Sequence, residues 1–216
     1  DPVLTAVARG AKRLTVMTTA QRDVARKVGV PARELRQATR GAANGAASLR
    51  AGRTSQAYAQ ISQAYYFLAR QISAKQTASI IQIDGVDSAR QQLLQEVDEL
   101  QKATAGMEES TASLSAANVQ QMIGLPDALT WATNPEIDLG VYRDQLAVGG
   151  TTEHELELIA EGVADARTQT EVSLGQVTDV LMSSVGNPVD QGEISQVLDG
   201  YTDFLKQAGD ASLNYY

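Results

Sequence analysis

The sequence predicts an all-α protein, an up-and-down bundle of long antiparallel helices with shorter connecting helices. Three observations carry that expectation. Aliphatic residues recur every three or four positions over long stretches, which is the period of one helix face. All five prolines (Pro2, Pro31, Pro126, Pro135, Pro188) stand at the borders of those stretches, because a helix accepts proline in its first turn and breaks around it elsewhere. No segment alternates apolar and polar residues between hairpin turns, as a half-buried strand would.

The first helix is expected from about Val3 to Val28. Val3, Val7, Gly10, Leu14, Met17, Gln21, Val24 and Val28 form one stripe, interrupted by the polar Gln21. Gly29-Val30-Pro31 ends it. A second helix begins near Ala32 and passes Leu35, Ala38, Ala42 and Leu49. Its later part holds Gly41, Asn44, Gly45 and Gly52. Each glycine costs about 1 kcal/mol against alanine in a helix. Residues 41–53 therefore read either as a linker or as a close helix crossing, where small residues let two backbones approach. From Thr54 the period returns through Ile61, Tyr65, Leu68, Ile72, Ile80 and Ile83, and Asp84-Gly85 reads as a turn.

The next helix is the clearest. Val86, Leu93, Val97, Leu100, Met107 and Leu114 make a seam of period 3.5, with Arg90, Thr104, Thr111 and Asn118 filling the remaining seam positions. It spans about 35 residues, or roughly 50 Å. Polar seam positions set register at a cost in stability. Between Ile123 and Asp138 the pattern fails, with Pro126, Trp131 and Asn134-Pro135 marking a connection that holds one short helix, Asp127–Ala132. A short helix over Ile137–Val148 follows, closed by Gly149-Gly150. Thr152 and Glu155 form a capping box, and Leu156, Ile159, Val163, Ala166, Thr170, Leu174, Val177 and Leu181 make another long stripe. Gly186-Asn187-Pro188 stops it. Asp190 with Glu193 caps a last helix carrying Ile194, Val197, Leu198, Tyr201, Phe204 and Leu205, and residues 209–216 show no period.

Residues 1–216 read as one helical-bundle domain. The subdivision they offer is a basic segment 1–40, small residues 41–53 and an acidic helical part 54–216. A chain of 23.0 kDa with 43% hydrophobic residues can bury a core without staples. Aromatics are only 5%, so that core is built from Ala, Val, Leu and Ile.

Composition also excludes chemistry. With no cysteine, disulfides, thiolate metal sites and cysteine nucleophiles are absent. With one histidine, His154, no multi-histidine metal site exists, and serine-histidine-aspartate catalysis would rest wholly on that residue. His154, Glu157 and Glu161 share a face, but such a face reads as a solvated acidic first turn favoured by the helix dipole. No phosphate-binding loop, dinucleotide fingerprint or nucleophile elbow occurs. No metal and no cofactor is expected, and the chain is expected not to be an enzyme. Nothing in it reads as a transmembrane segment.

The net charge of -8 hides a gradient. Residues 1–53 hold eleven basic residues against three acids, a balance of +8, so the remaining 163 carry -16. Either the two parts pack side by side, or the basic part meets an external anion.

Within the basic part, Thr19 to Arg40 resembles a bacterial helix-turn-helix. The resemblance lies in Ala25 where two helices cross, Gly29 at the turn four residues later, and apolar Val24, Val28, Val30, Leu35 and Ala38. It covers 22 of 216 residues and departs at Gln21, where an aliphatic residue is usual. It implies a recognition helix facing DNA with Ala32, Arg33, Arg36, Gln37 and Arg40, and phosphate contacts from Arg22, Arg26 and Lys27.

Three functions are weighed. The first is a non-catalytic sensing or interaction bundle, an extracytoplasmic (periplasmic) ligand-sensing domain of a bacterial chemoreceptor or sensor kinase. It would be a homo-oligomer and bind a small anionic ligand through Arg9, Arg13 and Arg22. The second is a cytoplasmic helix-turn-helix regulator that binds nucleic acid through Arg22, Arg26, Arg33, Arg36 and Arg40. The third is a structural helical component of a secretion machine or virus particle. Tyr58, Tyr65 and Tyr66 cluster on one helix, with Tyr65 expected in the core and the other two in core or boundary packing, or else lining a pocket or a partner surface.

Overall fold

The computed structural model describes residues 2–116 and 139–183. Among the described residues the chain is helical, in six pieces. These are α1 (Pro2–Lys27), α2 (Ala32–Arg50), α3 (Thr54–Asp84), α4 (Val86–Ala116), α5 (Leu139–Val148) and α6 (Glu153–Ser183). The expected Asp127–Ala132 helix, Trp131 and everything after Ser183 lie outside the described residues.

The connections among the described residues are short because glycine closes them. α1 ends with the Val30 N–H donating to the Ala25 carbonyl at 2.9 Å and the Gly29 N–H to the Arg26 carbonyl at 3.2 Å. That pairing needs a left-handed residue between, supplied by Gly29 at φ 84°. α2 ends the same way, with Arg53 bonded to Ser48, Gly52 to Leu49, and Gly52 at φ 74°. A single residue, Gly85, separates α3 from α4. The Thr152–Glu155 capping box is formed: the Glu155 N–H donates to Thr152 Oγ1 at 3.2 Å, and the Thr152 N–H to Glu155 Oε2 at 2.7 Å.

α3 is the central helix, touching α1, α2, α4 and α6. Paired residues give the directions. Ala11 and Leu14 of α1 share a cluster with Ile61 and Tyr65 of α3, and Ala25 shares the next with Leu68 and Ile72, so α1 and α3 run parallel. Gly45 of α2 faces Ala57 and Ile61, and Gly41 faces Ala64, so α2 runs against α3. Tyr58 bonds Val172, Arg70 bonds Asp165 and Ser73 bonds Ala160, so α6 also runs against α3. Arg90 bonds Leu146 and Arg143 bonds Asp98, so α5 runs against α4. Directions alternate along the chain, as in an up-and-down bundle.

Among the described residues three clusters fill the interior. Ala89, Leu93, Val97 and Leu100 of α4 pack with Leu139 and Leu146 of α5 and Leu156, Ile159 and Val163 of α6. The other two lie where α3 meets α1, α2 and α6. Among the described residues Tyr65 is the one aromatic side chain in the buried core. Alanine and threonine take up the space aromatics would occupy. Buried Thr18, Thr168 and Thr170 satisfy their hydroxyls on the carbonyls of Leu14, Ala164 and Ala166, one turn back.

Candidate functional site

α2 has two unlike faces. Its inner face is small: Ala38, Gly45 and Ser48 are buried against α3, with Leu35, Gly41, Ala42 and Leu49 half-buried beside them. A Cβ at Gly45 would run into Ile61 Cγ1 and stand 3.1 Å from the Ala57 carbonyl. The glycines are where two backbones meet, and residues 41–50 are the second half of one continuous helix.

The outer face carries charge. Arg33, Arg36, Gln37, Arg40, Ala43, Asn44, Ala47 and Arg50 are all exposed. Their spacing of three and four places them on one stripe roughly 25 Å long. It has no acid and no large apolar residue. The one acid of α2, Glu34, is half-buried, and its Oε2 is buried with no hydrogen-bond partner among the described residues. None of the four arginines forms an ion pair or side-chain hydrogen bond among the described residues. An open cavity of about 600 Å³ lies against this face, lined among the described residues by Arg33, Arg36, Gln37, Arg40, Gly41 and Asn44. Exposed Arg26 and Lys27 end α1 on one side, and exposed Arg53 follows α2 on the other.

Three guanidiniums within two turns leave fifteen N–H donors facing water, and each fork matches an oxyanion in two-point geometry. The chemistry this face can perform is capture of an anion.

The other arginines singled out by the sequence are placed differently. Arg9 is exposed. Arg13 is turned inward, and its Nη1 donates to the Gly175 carbonyl of α6 at 2.9 Å. Arg22 is half-buried, and its Nε is buried without a partner among the described residues. Arg9 and Arg22 stand about 20 Å apart along α1, so the three do not converge on one small ligand. Arg33, Arg36 and Arg40 are brought together.

A second polar cluster lies between α1, α3 and α6; the sequence marked its tyrosines, Tyr58, Tyr65 and Tyr66, but not their partners on α6. The Tyr65 hydroxyl donates to Glu171 Oε2 at 3.0 Å, and the Tyr58 hydroxyl to the Val172 carbonyl at 3.2 Å. Burial pushes the Glu171 carboxyl above its ordinary range, against the opposing pull of Tyr65, Arg167 and Arg13. Burial and the nearby Glu171 also hold the Tyr65 hydroxyl protonated, and burial pushes Tyr66 up to about 12. Ion pairs extend the seam, Arg70–Asp165 at 2.7 Å and Arg167–Glu96 at 2.6 Å. These groups bond one another and tie helices together.

His154 is exposed at the start of α6, with Glu157 and Glu161 half-buried beyond it. Among the described residues no group of three histidine, aspartate or glutamate side chains is placed to hold a metal ion, and no helix is long and apolar enough to cross a membrane. No protein-family model, curated protein or solved structure matches this chain.

Proposed function

We propose that this chain is a non-catalytic sensing and interaction bundle that recognises an anionic ligand through the exposed arginine row of α2. The observation that carries the reading is the state of Arg33, Arg36 and Arg40. They follow one another at three- and four-residue spacing and form no ion pair among the described residues, the intervening Glu34 being half-buried. Like charges at that spacing repel by a few tenths of a kcal/mol per pair. An oxyanion across them turns repulsion into charge-assisted hydrogen bonds. The geometry favours this face over Arg9, Arg13 and Arg22, because Arg13 already serves Gly175.

The site also sits where a signal can leave it. α2 rests through Gly41 and Gly45 on α3, the helix that touches four others. A ligand that moves α2 on α3 would act on the whole bundle.

The test is thermal stability with and without tripolyphosphate. A ligand that binds only the folded state raises the midpoint as its concentration passes Kd. The expected result is a rise for the wild type, no rise for R33Q/R36Q/R40Q, and a retained rise for R9Q/K12Q, which removes exposed charge from α1 instead. No rise in the wild type, or an equal rise in the α2 variant, contradicts the reading.

A further inference from the structure

We infer that the anion met by α2 is a row of carboxylates on α6 of a second copy of this chain. This rests on the anion-binding reading above and names its partner.

α6 carries the counterpart of the arginine row. Glu153, Glu157 and Glu161 follow one another at four-residue spacing, which sets them along one side of the helix. Glu153 is exposed and the other two are half-buried. None of the three forms an ion pair or side-chain hydrogen bond among the described residues. No lysine or arginine occurs between Glu153 and Asp165 to relieve them. The chain thus holds two rows of like charge, one of each sign, and each repels itself.

The rows match in length. Arg33 to Arg40 covers roughly 10 Å of helix and Glu153 to Glu161 roughly 12 Å. A helix bearing carboxylates at that pitch meets all three guanidiniums at once. An apolar contact lies beside the charges. Leu158 of α6 is 52% exposed next to the carboxylates, and exposed Ala43 stands one turn beyond Arg40, small enough to let a bulky side chain pack against α2.

Within one molecule the rows do not meet. α2 turns Ala38, Gly45 and Ser48 onto α3, and α6 turns Leu156, Ile159, Ala160 and Val163 into the core, so both rows point away from the interior. The charge gradient of the sequence is laid out in space here, and a second copy brings its two signs together. The two rows differ, so each copy offers one of each and association can continue beyond two copies. A lipid surface fits this face less well, because helices that bind one set bulky apolar residues among the basic ones, and the outer stripe of α2 has none.

The experiment is sedimentation velocity of the full chain at low salt. Exposed ion pairs are individually weak, so the concentration is raised from about 10 μM to 1 mM. The average mass should climb above 23.0 kDa with concentration. It should return to that value in about 1 M sodium chloride, where the Debye length is about 3 Å, and on addition of tripolyphosphate, which competes for α2. R33Q/R36Q/R40Q and E157Q/E161Q should each weaken association at least tenfold with the circular-dichroism spectrum unchanged, while R9Q/K12Q associates like the wild type. The charge-reversed R33E/R36E/R40E and E157K/E161K should each stay single, and an equimolar mixture of the two should associate again, since every reversed row then finds its opposite. Association that survives R33Q/R36Q/R40Q or high salt overturns the inference. A wild type that stays single while tripolyphosphate still raises its thermal midpoint through α2 also overturns it and leaves the anion site standing. A wild type that neither associates nor binds tripolyphosphate overturns both.

Discussion

Gly45 of α2 lies so close to Ile61 of α3 that a single added methyl group would overlap the isoleucine side chain. One turn earlier, a Cβ at Gly41 would stand 3.4 Å from Ala64 Cβ, an ordinary contact. Two glycines four residues apart on the same face thus predict opposite outcomes. Gly45→Ala should destabilise by about 1–3 kcal/mol through overpacking, despite alanine's better helix propensity. Gly41→Ala should be neutral or stabilise by up to about 1 kcal/mol. Chemical denaturation of both variants checks the pair, and equal effects would mean that α2 does not rest on α3 through Gly45.

The turn glycines make a separate prediction. Gly29 and Gly52 hold φ 84° and 74° with nothing near enough for a Cβ to strike. Alanine there should cost about 1 kcal/mol each, from backbone conformation alone. D-alanine introduced by chemical synthesis should remove that cost, which a steric origin would not allow.

Glu171 predicts a pH dependence. Its carboxyl is pushed above the ordinary glutamate value of 4.5 by burial. A carboxyl whose folded-state pKa is raised favours the fold while protonated. That contribution is present below the unfolded pKa and is lost as pH rises through the folded pKa. Glu171→Gln keeps an oxygen to accept the Tyr65 hydroxyl and carries no charge. The stability of wild type minus variant should therefore fall as pH rises from about 4.5 and level off above the folded pKa. Denaturation curves from pH 4 to 8 check the sign; a difference that grows with pH would contradict it.

The alkaline side belongs to the tyrosines. Tyr66 is pushed up to about 12, and Tyr65 is held protonated more firmly still. A raised phenol pKa contributes stability that is lost as pH rises above the ordinary value of 10. In an ultraviolet titration, both should stay protonated until the protein unfolds. Tyr65→Phe and Tyr66→Phe should leave the absorbance change between pH 9 and 11 unaltered.

The ion pair of Arg167 with Glu96 joins α6 to α4 at 2.6 Å, with the arginine largely covered. A double-mutant cycle with R167A and E96A should give a coupling of about 1 kcal/mol, more than a solvated surface pair supplies. A coupling near zero would show that the pair only decorates the contact.

Much of this fold is legible in the sequence because stripes of aliphatic residues repeat with the helical period. The breaks at Gly29-Val30-Pro31 and Gly85 and the capping box at Thr152 and Glu155 mark ends where the backbone itself needs those residues. α1 shows where the pattern falls short. Thr18 and Ala25 are buried, while Gln21, on the expected stripe, is half-buried. A threonine that can bond its own helix counts as apolar in the core. Residues 41–53 read equally as linker or crossing, because the deciding partners, Ala57, Ile61 and Ala64, sit on another helix. Arg13 could not be told from Arg33 by pattern, since the carbonyl that claims it is 162 residues away. The row of Arg33, Arg36 and Arg40 was visible by spacing. Its exposure and lack of counter-charges belong to the packing of α2 on α3.

The central claim is that the anion sits on the outer face of α2. Amide and arginine side-chain resonances followed by two-dimensional NMR during a tripolyphosphate titration test it most directly. The account predicts shifts concentrated on Arg33, Arg36, Gln37, Arg40 and Asn44. Shifts centred instead on Arg9, Arg13 and Arg22, or spread evenly over every exposed basic residue, would contradict it.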